Sequence, residues 1–230
     1  MFIQGKPSAN FPQKYDSHID ITIPYYHTFH EEILNLVRAS GRQPRLWLDT
    51  GCGTGTLIQQ AARAFTQTRF MLSDPSPEML IVAREKLVGE HEGRITYLDS
   101  AQTQELKLPD GVEPDIITAV LCHHYLLEPA RLEATQNCYR LLKAGGLYIT
   151  FENIRPMTDA GTEIGKVNWR NFQVASGKPE DEAENHLKRF GVEYYPITIE
   201  QHLDLMRGCG FSAVELLWYS YMQAGFYCIK

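Results

Sequence analysis

This sequence has no basic surplus, no long apolar run and no paired cysteines. Its 22 Lys and Arg face 28 Asp and Glu, a net charge of −6. That balance argues against DNA or another nucleic acid held mainly through phosphates, which needs a basic face. No apolar stretch approaches the roughly 20 residues of a membrane span. The opening MFIQGKPSANFPQ lacks the basic region and apolar core of a signal peptide and reads as a loose arm. Cys52, Cys122, Cys138, Cys209 and Cys228 form no C-x-x-C pair. They fit reduced thiols in a cytoplasmic protein, with neither a disulfide framework nor a metal site expected. Internal repeats and low-complexity tracts are missing too.

What is present suits a single domain spanning 1–230, with 43% hydrophobic residues to build its core. Tyr26, Phe29, Ile33 and Val37 recur at helical spacing, so residues 1–40 read as an arm followed by a helix that could cap a cleft. Strand and helix patterns then alternate. RLWLD, RFMLSD, RITYLD, DIITAVL and LYITFEN read as strands, and TLIQQAARAF and residues 128–142 as helices. Ser76, Pro77 and Glu78 open another helix, and Thr198 and Gln201 form a capping box for the last one. FSAVELLWYS and MQAGFYCIK, joined by a short link, must pair antiparallel. The expectation is an α/β fold with a mostly parallel seven-stranded sheet, helices on both faces and a C-terminal antiparallel hairpin.

Residues 153–196 interrupt this rhythm. The segment is polar, glycine-dotted and far longer than an ordinary connection. It holds Trp169, Phe172 and a short helix, EDEAENHLKRF. It reads as a lid over the carboxyl ends of the strands or, failing that, a surface elaboration.

The stretch LWLDTGCGTGTL places an acid and three glycines where a strand turns into a helix. Such a turn lets backbone approach a ligand and offers amide donors. The dinucleotide spacing G-x-G-x-x-G would need glycine at position 56, where Thr56 stands, and no Gly-Lys-Ser/Thr follows to make a P-loop. The spacing is G-x-G-x-G: Gly51, Gly53 and Gly55, with Asp49 upstream.

That spacing, the acid before it and the order of the other segments resemble the class I S-adenosylmethionine-dependent methyltransferases, which have a Rossmann-like fold. The resemblance covers residues 46–151. It implies that the loop from Asp49 through Gly51, Cys52, Gly53 and Gly55 holds the methionine part of S-adenosylmethionine, whose product is S-adenosylhomocysteine. Asp74, beside Pro75, would take the ribose hydroxyls, a task suited to a carboxylate. Asp99 would accept from the adenine amino group, with Ser100 or Ala101 beside the ring, and Met79 and Leu121 would flank the adenosine. Without the resemblance, Asp74 and Asp99 read equally as loop caps. The fourth strand ends LCHHYL, not in the Asn/Asp-Pro-Pro-aromatic pattern of base-amino methyltransferases. HHY and LLKAGGLYITFEN look like the branch acting on small molecules.

IPYYHTFHEEIL and TIEQHLDLMRGCGF are also similar to the carboxy-S-adenosylmethionine synthases of tRNA modification. That likeness implies a cofactor contact for Tyr26. This chain departs from the pattern in its ordinary GCGTG loop. It also has Leu187 where the family's carboxylate-gripping arginine would fall, with Arg189 two residues later.

Candidate catalytic groups are His123 and His124 after the fourth strand and Glu152 after the fifth. Tyr25, Tyr26, His27 and His30 could join them from the capping helix. Histidine suits general-base work near neutral pH, or it could merely bond backbone and pack on the adenosine. His123 and His124 should point to opposite sides, and His124 is favoured as the base. The resulting expectation is methyl transfer to a small-molecule acceptor in a cytoplasmic protein, with a homodimer allowed. The alternatives are a carboxy-S-adenosylmethionine synthase-like enzyme and a non-catalytic binder of the cofactor.

Overall fold

The structure, a computed structural model, describes residues 12–89 and 93–230. Residues 1–11, most of the expected arm, lie outside the described residues. The elements run α1 (Pro12–Ile19), α2 (Tyr26–Ala39), β1 (Leu46–Thr50), α3 (Thr56–Ala64), β2 (Arg69–Ser73), α4 (Pro77–Leu87) and β3 (Ile95–Tyr97). There follow β4 (Ile116–Val120), α5 (Glu128–Leu141), β5 (Leu147–Asn153), α6 (Asp159–Ala175), α7 (Glu180–Lys188), α8 (Ile199–Gly208), β6 (Ala213–Ser220) and β7 (Gln223–Ile229).

The seven strands form one sheet in the order β3-β2-β1-β4-β5-β7-β6. β1 to β5 are parallel, and β7 runs antiparallel between β5 and β6. The chain builds outward from β1 through β2 to β3, then returns to lay β4 on the other side of β1. Ligand crevices form at that switch point, beyond the carboxyl ends of the strands.

Alternate side chains of the buried strands supply two cores. Trp47, Phe70, Leu72, Ile149 and Phe151 join Phe29, Ile33 and Val37 of α2 and Leu57 and Ile58 of α3. Leu48, Ile117, Ala119, Tyr148 and Phe226 meet Cys138 of α5 and Met206 of α8 on the other face. The local signals act as expected. The Ser76 side chain accepts from the Met79 amide, and Thr198 and Gln201 complete their reciprocal capping box.

Three expectations change. α2 is a core helix and not the cap: Phe29, Ile33 and Val37 are fully buried, and Phe29 stacks on Phe151 at 4.7 Å. The helix over the cleft is α1, within the segment read as arm and approach. Its signals were Pro12 at the first helical position, where proline is preorganised, and the spacing of Tyr15, Ile19 and Ile23. The 153–196 segment holds two helices, α6 and α7, where one was expected. Gly161 and Gly165 weaken the helical pattern of α6 in sequence, yet both are placed for contact: a Cβ on Gly165 would meet Met222 Sδ at 3.1 Å.

Gly225 of β7 lies under the Phe151 ring, and a Cβ there would come within 2.4 Å of it. Phe151 is fully buried and also stacked on Phe29 at 4.7 Å, so its ring is packed against two neighbours. Gly225→Ala is expected to destabilise the fold by about 1–3 kcal/mol, the usual cost of overpacking a core. Urea unfolding measures this, and an unchanged midpoint would show that the ring can move aside.

Candidate active site

The turn after β1 is built from left-handed glycines. Gly51, at φ 67°, leaves no room for a side chain, since a Cβ would meet Cys122 Cβ at 2.6 Å. Gly53, at φ 54°, faces open space, with no atom within 4 Å of a Cβ built there. The first glycine therefore permits close packing of β1 against the β4 turn. The second leaves bare backbone facing a space that a ligand could fill.

Two acids frame this turn. Asp74, just past β2, accepts from the Gly53 amide at 2.8 Å and from the Ser76 amide at 2.9 Å, one bond to each oxygen. A lone pair remains on each oxygen for a diol. Burial raises the Asp74 carboxyl above its ordinary range, with the two backbone bonds opposing. Asp49, in β1, accepts from Thr118 Oγ1 at 2.6 Å, and Thr118 in turn accepts from the Trp47 indole at 2.9 Å. Burial pushes Asp49 up to about 7 against the Thr118 bond, helped by the nearby Asp74 charge. Cys52 lies between the acids with its thiol driven up by burial and by both charges, so it stays protonated.

The remaining expected contacts are distributed unevenly. Met79 is buried at the start of α4. Pro75 and Ser100 bond to each other, Ser100 Oγ donating to the Pro75 carbonyl at 2.9 Å, which ties the turns after β2 and β3. Asp99 is exposed two residues beyond β3, and Ala101 is partly buried. Leu121, just past β4, takes a left-handed φ of 54° and donates its amide to the Phe151 carbonyl at 2.7 Å. Such a conformation is costly for leucine and is held by its surroundings. Tyr26 is buried, with Asp16 and Asp49 near enough for their charges to oppose its ionisation after burial itself.

α1 crosses this region. Thr54 Oγ1 donates to Asp16 at 2.6 Å, and Lys86 of α4 donates to Asp16, Thr54 and Thr56. Tyr15 lies within electrostatic reach of Asp74, Tyr26 and Tyr125. The sequence reading missed Tyr15 and Asp16.

Beyond the ends of β4 and β5 lies a cavity of about 280 Å³. Its walls come from α1 (Tyr15, His18, Ile19), the β4 end (Leu121, His124, Tyr125), Asn153, and the insertion (Lys178, His186, Arg189, Tyr194). His123, His124 and Tyr125 form a 3-10 turn. Side chains of the 153–196 segment thus line the cavity, and the segment is tied to the turn after β4 by Tyr195, whose amide donates to the His124 carbonyl at 2.7 Å.

Of the candidate catalytic groups, His124 faces the cavity, while His123 and Glu152 do not line it. His123 turns to the other side, toward the Tyr148 hydroxyl at 3.4 Å, and burial holds it down to about 4. The opposed directions of the two histidines match the sequence expectation. Glu152 is 1% exposed and fully occupied. It accepts from the His123 and His124 amides at 3.1 and 2.9 Å, from Thr150 Oγ1 at 3.0 Å, and from His124 Nδ1 at 2.7 Å. Burial works to raise this carboxyl, but the hydrogen bond from His124 overrides it and holds it below the usual carboxylate range. Glu152 thus positions His124. Tyr25 is exposed against Trp218, His27 bonds Asp20, and His30 is buried beside Gln60, so none of the three lines the cavity. Trp169 is fully buried and donates to the Thr22 carbonyl at 2.7 Å, a structural task.

A carboxyl raised to about 7 binds its proton more tightly in the native state than in the unfolded chain. From Asp49, stability therefore declines as pH rises from about 4 to about 7. Asp49→Asn keeps an oxygen for Thr118 and removes that decline. In ligand-free protein the variant should gain more stability over wild type at pH 8 than at pH 5, by urea unfolding. An equal difference at both pH values would contradict the raised carboxyl.

Three comparisons with known proteins bear on this geometry. The sequence model of a family described as "Methyltransferase domain" matches residues 48–148. Carboxy-S-adenosyl-L-methionine synthase 1 of Yersinia pseudotuberculosis is 26% identical over 223 residues, covering 93% of this chain and 89% of the relative. Magnesium protoporphyrin IX methyltransferase from Synechocystis, solved with bound S-adenosylhomocysteine, matches with a TM-score of 0.65 at 17% identity, covering 98% of this chain and 90% of that one. PigF with S-adenosylhomocysteine matches with a TM-score of 0.63 at 21% identity, and here the chain spans 61% of the other's length. At these identities the solved structures speak for the fold. The strand order, the matched domain and the full-length relative agree in supporting a class I S-adenosylmethionine-dependent methyltransferase, with a likeness to the carboxy-S-adenosylmethionine synthases.

Proposed function

We propose that this protein transfers the methyl group of S-adenosylmethionine to a small molecule seated in the cavity beyond β4 and β5. The observation that carries the reading is the place of that cavity. Its walls include Tyr15, Leu121 and His124, at the same strand ends as the glycine turn. A pocket of about 280 Å³ suits a small molecule. The residues fit the cofactor: bare backbone at Gly53, free lone pairs on Asp74, a buried acid at Asp49 for a cationic group, and apolar Met79 and Leu121. The sulfonium supplies an already activated methyl, so positioning does much of the work. His124 is the base where the acceptor must lose a proton. Its Nδ1–H is spent on Glu152, so its Nε2 lone pair accepts from Asn153 Nδ2 at 3.2 Å, and Asn153 has to give up that bond for Nε2 to take the proton. Exclusion of bulk water falls to α1 and α7.

Arg189 favours a second reading, a carboxy-S-adenosylmethionine synthase-like enzyme. Its Nε bonds Glu193 at 2.7 Å, but its buried Nη2 has no partner among the described residues, and the side chain lines the cavity. An unpaired guanidinium nitrogen suits a carboxylate. Leu187, at the family's arginine position, packs against the hydrophobic core instead.

The test begins with calorimetry. S-adenosylhomocysteine should bind, and Asp74→Ala should weaken it by about 1–3 kcal/mol, the range for a lost charged hydrogen bond. His124→Ala should leave that affinity nearly unchanged and lower kcat by about 100-fold or more. Mass spectrometry of reactions with a panel of small acceptors separates the readings. A methylated acceptor with S-adenosylhomocysteine supports the first, and a cofactor heavier by one carboxyl group supports the second. Wild-type affinity in Asp74→Ala would remove Asp74 from the cofactor site.

A further inference from the structure

We propose that His186 is a specificity-determining residue: an imidazole fixed with its proton on Nε2, so that it donates a hydrogen bond to an oxygen of the substrate held in the cavity. The inference rests on the reading of that cavity as the acceptor site.

The fixing runs through a directed chain of hydrogen bonds. The Thr22 hydroxyl donates to the His18 carbonyl at 2.7 Å, so its proton is spent. Thr22 Oγ1 must then accept from Lys178 Nζ, 2.6 Å away. Lys178 Nζ also meets Gln173 Oε1 at 3.0 Å, and an ammonium only donates. That contact sets the Gln173 amide with its oxygen toward Lys178 and its NH₂ toward His186. Gln173 Nε2 lies 3.1 Å from His186 Nδ1, which must therefore be the acceptor. A neutral ring that accepts at Nδ1 carries its proton on Nε2.

The ring is held in place as well as in tautomer. It stands edge-on to the buried Trp169 at 4.9 Å, and the Tyr194 hydroxyl bonds the His186 carbonyl at 3.1 Å. Burial, with the charges of Lys178, Arg189 and His124, lowers its pKa to about 3, so it stays neutral in the working range. His186 lines the same cavity as Arg189, one turn along from it. A donor that never becomes an acceptor selects for a lone-pair-bearing oxygen and disfavours a group that can only donate, such as an ammonium or amide N–H, at that point. Lys178 and Gln173 are positioning residues: they act through His186.

Nitrogen–proton correlation NMR of the ligand-free protein reads this directly, with His186→Phe to assign the ring. The expected pattern is a neutral ring protonated at Nε2 and unchanged from pH 7 to pH 5, where Lys178, lowered by burial to about 8, stays an ammonium. Protonation at Nδ1, or titration to imidazolium within that range, would overturn the proposal. Gln173→Glu offers a carboxylate to both Lys178 and the ring, and should move the proton to Nδ1 or charge the ring. An unchanged Nε2–H pattern in the folded variant would show that Gln173 does not set the tautomer. Acetate, as the probe of the cavity, should shift the His186 Nε2–H signal saturably, and a signal unmoved by acetate would remove the donor role. These readouts need no turnover, so their failure and the failure of the methyl-transfer reading are distinguishable.

Discussion

The carboxyl end of the sheet depends on where the Glu152 carboxylate spends its charge. A buried carboxylate without partners costs several kcal/mol. Glu152 has four donors, and three come from His123 and His124. Those bonds pull the turn after β4 across to β5. They fix the direction of His124, and with it the cavity wall that runs from Leu121 to Asn153. The turn in turn anchors the insertion, through the Tyr195 amide on the His124 carbonyl and through Arg131, which donates to the carbonyls of His123, Leu126 and Tyr195. One buried charge thus sets the shape of the space in which chemistry is proposed.

The contrast with Asp49 shows what decides the state of a buried acid. Both are nearly inaccessible. Glu152 collects hydrogen bonds and sits among histidines, so its proton is held off. Asp49 is served by Thr118 and faces the like charge of Asp74, so its proton is held on to about pH 7. An acid kept in that condition is poised for a cation to arrive and replace the proton. Its neighbour Asp74 keeps its outer lone pairs free while both oxygens are oriented by backbone amides. Both states suit the ligand proposed above, which carries a cationic end and a diol.

The sheet and its switch point were legible in the sequence because their signals are local. Short apolar runs bounded by turn residues gave all seven strands, and Ser76, Thr198 and Gln201 announced helix starts that the backbone confirms. The glycine spacing located the turn after β1 for the same reason, since φ and close approach are properties of a few consecutive residues. What was lost depends on distant contacts. α6 looks unhelical because Gly161 and Gly165 answer to Pro156 and Met222, not to helix propensity. α1 looks like an arm because Asp16 finds Lys86, Thr54 and Thr56 across the fold. Glu152 is a catalytic candidate in sequence because its position at a strand end is visible, whereas the direction of its charge, set by the His123–Tyr125 turn, is not. Arg189 and His186 belong to the same class: the segment was marked as unusual, but only the folded contacts show which of its side chains reach the cavity.

The central claim is that the cofactor lies over Gly53 with its reactive end toward the cavity between Tyr15, Leu121 and His124. A crystal structure with S-adenosylhomocysteine tests it most directly. The account predicts density along the glycine turn, ribose hydroxyls on Asp74, the amino group near Asp49, and the sulfur facing the space that His124 and Arg189 line. Density confined to the cavity itself, with Asp74 and the bare face of Gly53 untouched, would contradict it.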